Sequence, residues 1–115
     1  GKQVLGLPGN PVSTFASFHL FARLLIDAIC GVTVPHLSWT WLPLPNEVKP
    51  HPRRRDFLRA TWKSQLNADN LPYELAPGQT SGHGKDLLQT DLLIEIPSLD
   101  ERQIDSGGAV RAFFL

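Results

Sequence analysis

The residues best placed to do chemistry form one run, Gly6-Leu7-Pro8-Gly9-Asn10-Pro11-Val12-Ser13. Val4 and Leu5 before it read as the end of a buried strand, and a long stretch with helical apolar spacing follows it. Gly6 and Gly9 permit backbone angles that other residues resist. Asn10 suits a helix N-cap, and Pro11 suits the first helical position, where a missing N–H costs nothing. The unsatisfied N–H groups of such a first turn make a place for an anion, and Ser13 adds a hydroxyl beside them. The chemistry implied is oxyanion binding at a strand-to-helix turn. The same residues also build an ordinary βα turn that binds nothing.

The remaining reactive side chains form weaker patterns. His19, His36, His51 and His83 match no zinc spacing, and Cys30 is the only cysteine, so no metal site is expected. Cys30 reads as a small buried residue at a helix end. Gln79-Thr80-Ser81-Gly82-His83-Gly84-Lys85 is a polar, glycine-rich stretch that either lines a cleft or caps a short helix across His83 to Gln89. Asp86 and Asp91 are not placed as an acid–base pair by their spacing. No complete Walker-type loop is present.

These residues need elements to hold them. The helix is expected from Pro11 to Cys30, with Gly31 just past its end. Val12, Phe15, Phe18, Ala22, Leu25, Ile26 and Ile29 give it a wide apolar face, and His19, Arg23 and Asp27 a polar stripe. A helix this apolar is expected to be largely buried in a complete domain. Arg23 and Asp27 inside it argue against a membrane span. Near Pro35 the pattern changes from helical to alternating. Ser38 to Leu42 alternates, with Trp39 and Trp41 on one face. Pro43, Pro45, Pro50 and Pro52 point to an edge strand or linker. Lys49 to Arg55 reads as a solvated basic loop. Asp56 to Leu66 is the best strand candidate, Asn67 to Asn70 a turn, and Leu71 to Leu75 its partner strand. Leu92 to Ile96 and Ala109 to Leu115 complete a set of short strands joined mainly by hairpins. The fold class expected is mainly β. A small, partly open β-barrel is preceded by one strand-turn-helix remnant of an α/β domain.

Composition narrows the class. The chain has 115 residues, 42% apolar and 19% charged, with zero net charge, ten prolines and nine glycines. Neutrality argues against general attraction to nucleic acid or to an anionic membrane. One cysteine and no signal peptide fit a cytoplasmic setting. The absence of methionine and a start inside a strand-like segment read as a fragment.

The run Gly6 to Ser13 resembles the signature loop of the molybdopterin molybdenumtransferases. Later segments resemble that family in order: Arg54-Arg55-Asp56-Phe57-Leu58-Arg59, Gln79-Thr80-Ser81-Gly82-His83, Asp91-Leu92-Leu93-Ile94 and Gly107-Gly108-Ala109-Val110-Arg111. The resemblance covers nearly the whole chain but only the C-terminal part of the family's protein. It implies that residues 1–35 are the last strand-loop-helix of an incomplete molybdopterin-binding α/β domain, and 36–115 a C-terminal β-barrel domain. It implies an enzyme that inserts molybdate into adenylylated molybdopterin. Gly6, Pro8, Gly9, Asn10, Pro11 and Ser13 would border the anion and substrate pocket. Arg59, Ser81 and His83 are possible cleft-lining residues, and in the parent's homodimer Arg59 or His83 would act across the interface. Magnesium, with ligands upstream of Gly1, belongs to the parent enzyme, so the fragment itself is expected to be inactive. The alternative is a β-barrel interaction module, as in the relative gephyrin.

Overall fold

The structure, a computed structural model, describes residues 2–7, 11–77, 79, 85–104 and 107–115. The helix begins at Pro11, as the proline suggests. It runs as α1 (Pro11–Ser17), widens to π-type turns over Phe18–Ala22, and continues as α2 (Arg23–Ile29). Cys30 caps it and Gly31 follows at φ 96°. The Val32 N–H donates to Asp27 O at 2.9 Å and the Gly31 N–H to Ala28 O at 3.1 Å. This is a Schellman ending, which needs the left-handed backbone that glycine adopts without steric cost.

Two local expectations are corrected. Val4 and Leu5 form no strand, and Val4 is 92% exposed. A strand needs a neighbour for its N–H and C=O groups, and the five strands of this sheet pair only with one another. Cys30 is exposed rather than buried. The helix ends there in solvent, and neither π-type turns nor α2 contain a buried residue.

The sheet has five strands: β1 (Trp39–Pro43), β2 (Asp56–Trp62), β3 (Tyr73–Leu75), β4 (Leu92–Ile96) and β5 (Ala109–Phe114). Their order is β1-β5-β4-β2-β3, antiparallel throughout, and they form a half-barrel. Hairpin-like neighbours account for only β2–β3 and β4–β5. The β1–β5 and β2–β4 ladders join distant parts of the chain, which local turn signals cannot reveal. Strand β2 ends at Trp62, short of the expected Leu66. There the Lys63 N–H donates to Pro72 O, and Asn67 takes over as the turn's anchor. Its Oδ1 accepts from the Asp69 and Leu71 N–H groups, and Asn70 adopts φ 62°.

Alternation fixes which side chains fill the inside. Leu42, Ala60, Tyr73, Leu92, Ile94, Ile96, Val110 and Ala112 form the core, with Leu44 and Leu71 closing it from the loops. The half-barrel's two edges, β1 and β3, are tied by one side chain. Tyr73 is fully buried, and its hydroxyl donates to Pro43 O at 2.6 Å. Burial, reinforced by Glu47, pushes that phenol well above its ordinary range. Tyr73→Phe keeps the ring and strands the Pro43 carbonyl. We expect it to cost about 1 kcal/mol of unfolding free energy, seen as a lower urea midpoint at unchanged slope. An unmoved midpoint would mean that the edges are held by packing alone.

Candidate functional site

The anion-binding run is described at its two ends. Gly6 and Leu7 are exposed, and Gly6 needs no special conformation: a Cβ there would meet nothing within 4 Å, and its φ is not in the left-handed region. The expectation that Gly6 supplies an unusual backbone angle is therefore corrected. Pro8, Gly9 and Asn10 lie outside the described residues. Pro11 opens the helix, and Ser13 is half-buried in its first turn.

Of the other candidates, Ser81 and His83 lie outside the described residues. Arg59 lies in the middle of β2 and is 1% exposed. The structure joins it to the start of the polar stretch through Gln79, a residue with no role assigned from sequence. Gln79 Oε1 accepts the Arg59 N–H at 2.9 Å, and its Nε2 donates to Arg59 O at 2.8 Å and to Ala76 O at 3.0 Å. A side-chain amide has the same donor and acceptor as a peptide group. Gln79 therefore continues the short β3 ladder along β2, beside Arg59. Two of the segments distant in sequence, those beginning at Arg54 and Gln79, meet here. Asp91 acts likewise on the next edge position: its Oδ1 accepts the Trp62 N–H at 3.0 Å.

The outer face of the half-barrel carries a second cluster. By register, Trp41, Arg111, Glu95 and Phe57 form one row across the sheet, and Trp39, Phe113, Leu93 and Arg59 the next. Glu95 is buried in the first row. Arg111 Nη2 donates to both its oxygens, at 2.8 and 3.0 Å, and Arg55 approaches at 3.8 Å while also holding Glu101 at 3.1 Å. The Arg111 guanidinium also lies over the Trp39 and Phe113 rings, at 5.7 and 5.5 Å. Beside this cluster an open groove of about 590 Å³ separates the helix from the sheet, lined by Phe21, Leu24, Trp39, Phe57 and Phe113. Its carboxylate is already neutralised by arginines, so the groove offers shape and apolar surface rather than a free acid or base. Among the described residues no group of three or more His, Cys, Asp or Glu side chains could hold a metal ion.

Comparison with known proteins gives the fold and its relatives. No family-level sequence profile matches the chain. The crystal structure of the molybdopterin biosynthesis moeA protein from Pyrococcus horikoshii OT3 superposes with a TM-score of 0.67 and 21% identity. That match covers 93% of this chain and 26% of the moeA chain, and it shows the fold. The molybdenum cofactor synthesis protein cinnamon of Drosophila melanogaster is 31% identical over 112 residues, 95% of this chain. The chain is a homologue of cinnamon. It spans 18% of the length of that relative.

One titration follows from the helix that succeeds the loop. His19 stands edge-on to Phe15 and Phe18, at ring distances of 4.7 and 5.3 Å. Its Nδ1 is buried and, among the described residues, has no hydrogen-bond partner. Burial first, and the neighbouring Arg23 second, lower its pKa below 6.5. In the unfolded chain the ring binds a proton sooner as pH falls, so stability is full above 6.5 and declines below it. Helix melting followed by circular dichroism should show this loss, and His19→Gln should flatten it. A variant with the same pH profile as the parent chain would show that His19 is not the group responsible.

Proposed function

We propose that this chain is the C-terminal part of an enzyme that inserts molybdate into adenylylated molybdopterin, releasing AMP, as part of molybdenum cofactor biosynthesis. The observation that carries the reading is the 31% identity with cinnamon along 95% of the chain, which spans loop, helix and half-barrel alike. In this reading residues 1–35 close a molybdopterin-binding α/β domain and 36–115 form the appended β-barrel domain. The parent works in the cytoplasm as a homodimer with magnesium, whose ligands are supplied from outside this chain. Gly6, Pro8, Gly9, Asn10 and Pro11 shape one wall of the pocket.

What this chain's own residues do is bind and orient. The first N–H groups of the helix carry the positive end of its dipole and point toward a dianionic oxoanion. The Ser13 hydroxyl adds a donor to the same charge. In this reading Arg59, Ser81 and His83 line the neighbouring cleft. Fixed donors of this kind stabilise charge without reorganising during reaction.

A second reading, a protein-interaction module, is favoured by a separate observation. Trp39 and Trp41 stand largely exposed on an edge strand, where a purely internal domain would have no use for them.

Two measurements test the first reading. The purified 115-residue chain should form no molybdenum cofactor from molybdate and adenylylated molybdopterin, since one wall cannot preorganise the reaction. Measurable synthesis by this chain alone would overturn the division of labour proposed. In the full-length parent, Ser13→Ala should weaken molybdate use by roughly 1.5–3 kcal/mol, the worth of one donor to a charged group, with the fold retained. The assay is insertion rate against molybdate concentration, and unchanged rate and apparent affinity would reduce Ser13 to a helix-start residue.

A further inference from the structure

A cavity of about 220 Å³ opens on the outer face of the half-barrel, lined by Trp41, Glu95, Pro97, Glu101, Arg102 and Arg111. Arg102 is the exposed cation at its rim, and it is held in place. Ser98 is buried, and its carbonyl accepts the Glu101 and Arg102 N–H groups, both at 3.1 Å, which fixes the backbone of the turn after β4. The Arg102 guanidinium lies 5.6 Å from the centre of the Trp41 ring, and its Nη2 donates to Ala109 O at 2.9 Å. A guanidinium has five N–H donors in one plane. Among the described residues the rest of the Arg102 donors have no protein acceptor, and Arg102 forms no ion pair.

The two carboxylates of the cavity do not take that charge, because other arginines hold them. Arg111 Nη2 donates to both oxygens of buried Glu95, at 2.8 and 3.0 Å. Arg55 holds Glu101 Oε2 through Nη2 at 3.1 Å and Nε at 3.3 Å, and it approaches Glu95 at 3.8 Å. Three arginines against two glutamates leave one positive charge, and it is carried by the one guanidinium of the three that has no acid. We propose that this cavity binds a small monocarboxylate with an apolar or aromatic body. The planar fork of Arg102 matches the two oxygens of a carboxylate. Trp41, whose indole is 51% exposed, and the Pro97 ring offer apolar surface for the body of such an acid. A single negative charge balances the cluster. A dianion would bring a second negative charge toward Glu95 and Glu101, which opposes its entry. The site lies apart from the loop before the helix, so the inference stands whether or not the transferase reading does.

The test is titration of the 115-residue chain with benzoate, followed through the backbone and indole N–H signals by nuclear magnetic resonance. We expect saturable shifts centred on the Trp41 indole and the Arg102 and Ala109 amides. Acetate, which lacks the body, should bind more weakly. Benzyl alcohol, which lacks the charge, should give no saturable shift. Inorganic phosphate at neutral pH and a blocked glutamyl dipeptide should both bind more weakly than benzoate. Arg102→Gln should weaken benzoate binding on the order of tenfold or more with strand content unchanged by circular dichroism. Arg102→Lys, which keeps the charge and loses the fork, should recover only part of it. Arg53→Gln removes an equal charge from the exposed loop outside the cavity and should leave binding as it was. Shifts that stay linear in benzoate concentration overturn the proposal. So does equal binding of benzyl alcohol, tighter binding of phosphate or of the dipeptide, or an Arg53→Gln loss as large as that of Arg102→Gln.

Discussion

Strand β4 buries all five of its residues, and the rest of the structure follows from the need to cover both of its faces. Leu92, Ile94 and Ile96 point into the half-barrel, where side chains of β1, β2, β3 and β5 meet them. Leu93 and Glu95 point the other way and are buried too. A carboxylate at such a position would cost far more than a leucine unless it were paired. Arg111 and Arg55 supply the pairing, and the aromatic rings of Trp39 and Phe113 cover the Arg111 guanidinium in turn. The outer face is thus built around one buried charge, and the helix stands across an open groove from it rather than packing down on it.

That arrangement separates two kinds of surface. Inside, alternation and closure specify the fold, and Tyr73 ties β3 to β1 where no ladder joins them. Outside, apolar groups remain in water. Phe21, Ile26 and Ile29 on the helix and both edge tryptophans are exposed. Singly exposed apolar residues need no explanation, but a run of them along one helix and one strand does.

Much of this was legible in the residues. Pro11 and Gly31 mark the helix ends because proline and glycine act through their own backbone restrictions, which no distant contact can change. Leu92 to Ile96 reads as a buried strand because it is a continuous apolar run broken by a single carboxylate. What was hidden depends on partners far away in the chain. The burial of Arg59 follows from the position of β2 in the sheet, and the role of Gln79 from an amide reaching Arg59 across a gap no local pattern records. Val4 and Leu5 have the composition of a strand, but composition cannot supply a neighbouring strand. The candidate loop itself was legible as a motif. Its meaning came from resemblance, since a glycine–proline turn before a helix has the same physics whether or not an anion is bound.

On the transferase reading, the loop and the half-barrel need each other less than both need what lies against the helix. An oxyanion site works only if its donors are fixed before the anion arrives. The donors here are the first amides of the helix, so their rigidity is the rigidity of that helix. Among its described apolar side chains only Val12 is buried, and it sits next to Ser13 in the first turn. The remainder of the helix presents Phe18, Phe21, Ile26 and Ile29 to solvent. Burying a large apolar side chain stabilises by roughly 1.5–3 kcal/mol, so covering this face would hold the loop far more firmly than any hydrogen bond within it. Whatever surface buries the helix therefore also sets how well Ser13 and its neighbouring amides can hold an anion. Changes on the helix's far side should then reach the site through order rather than through contact.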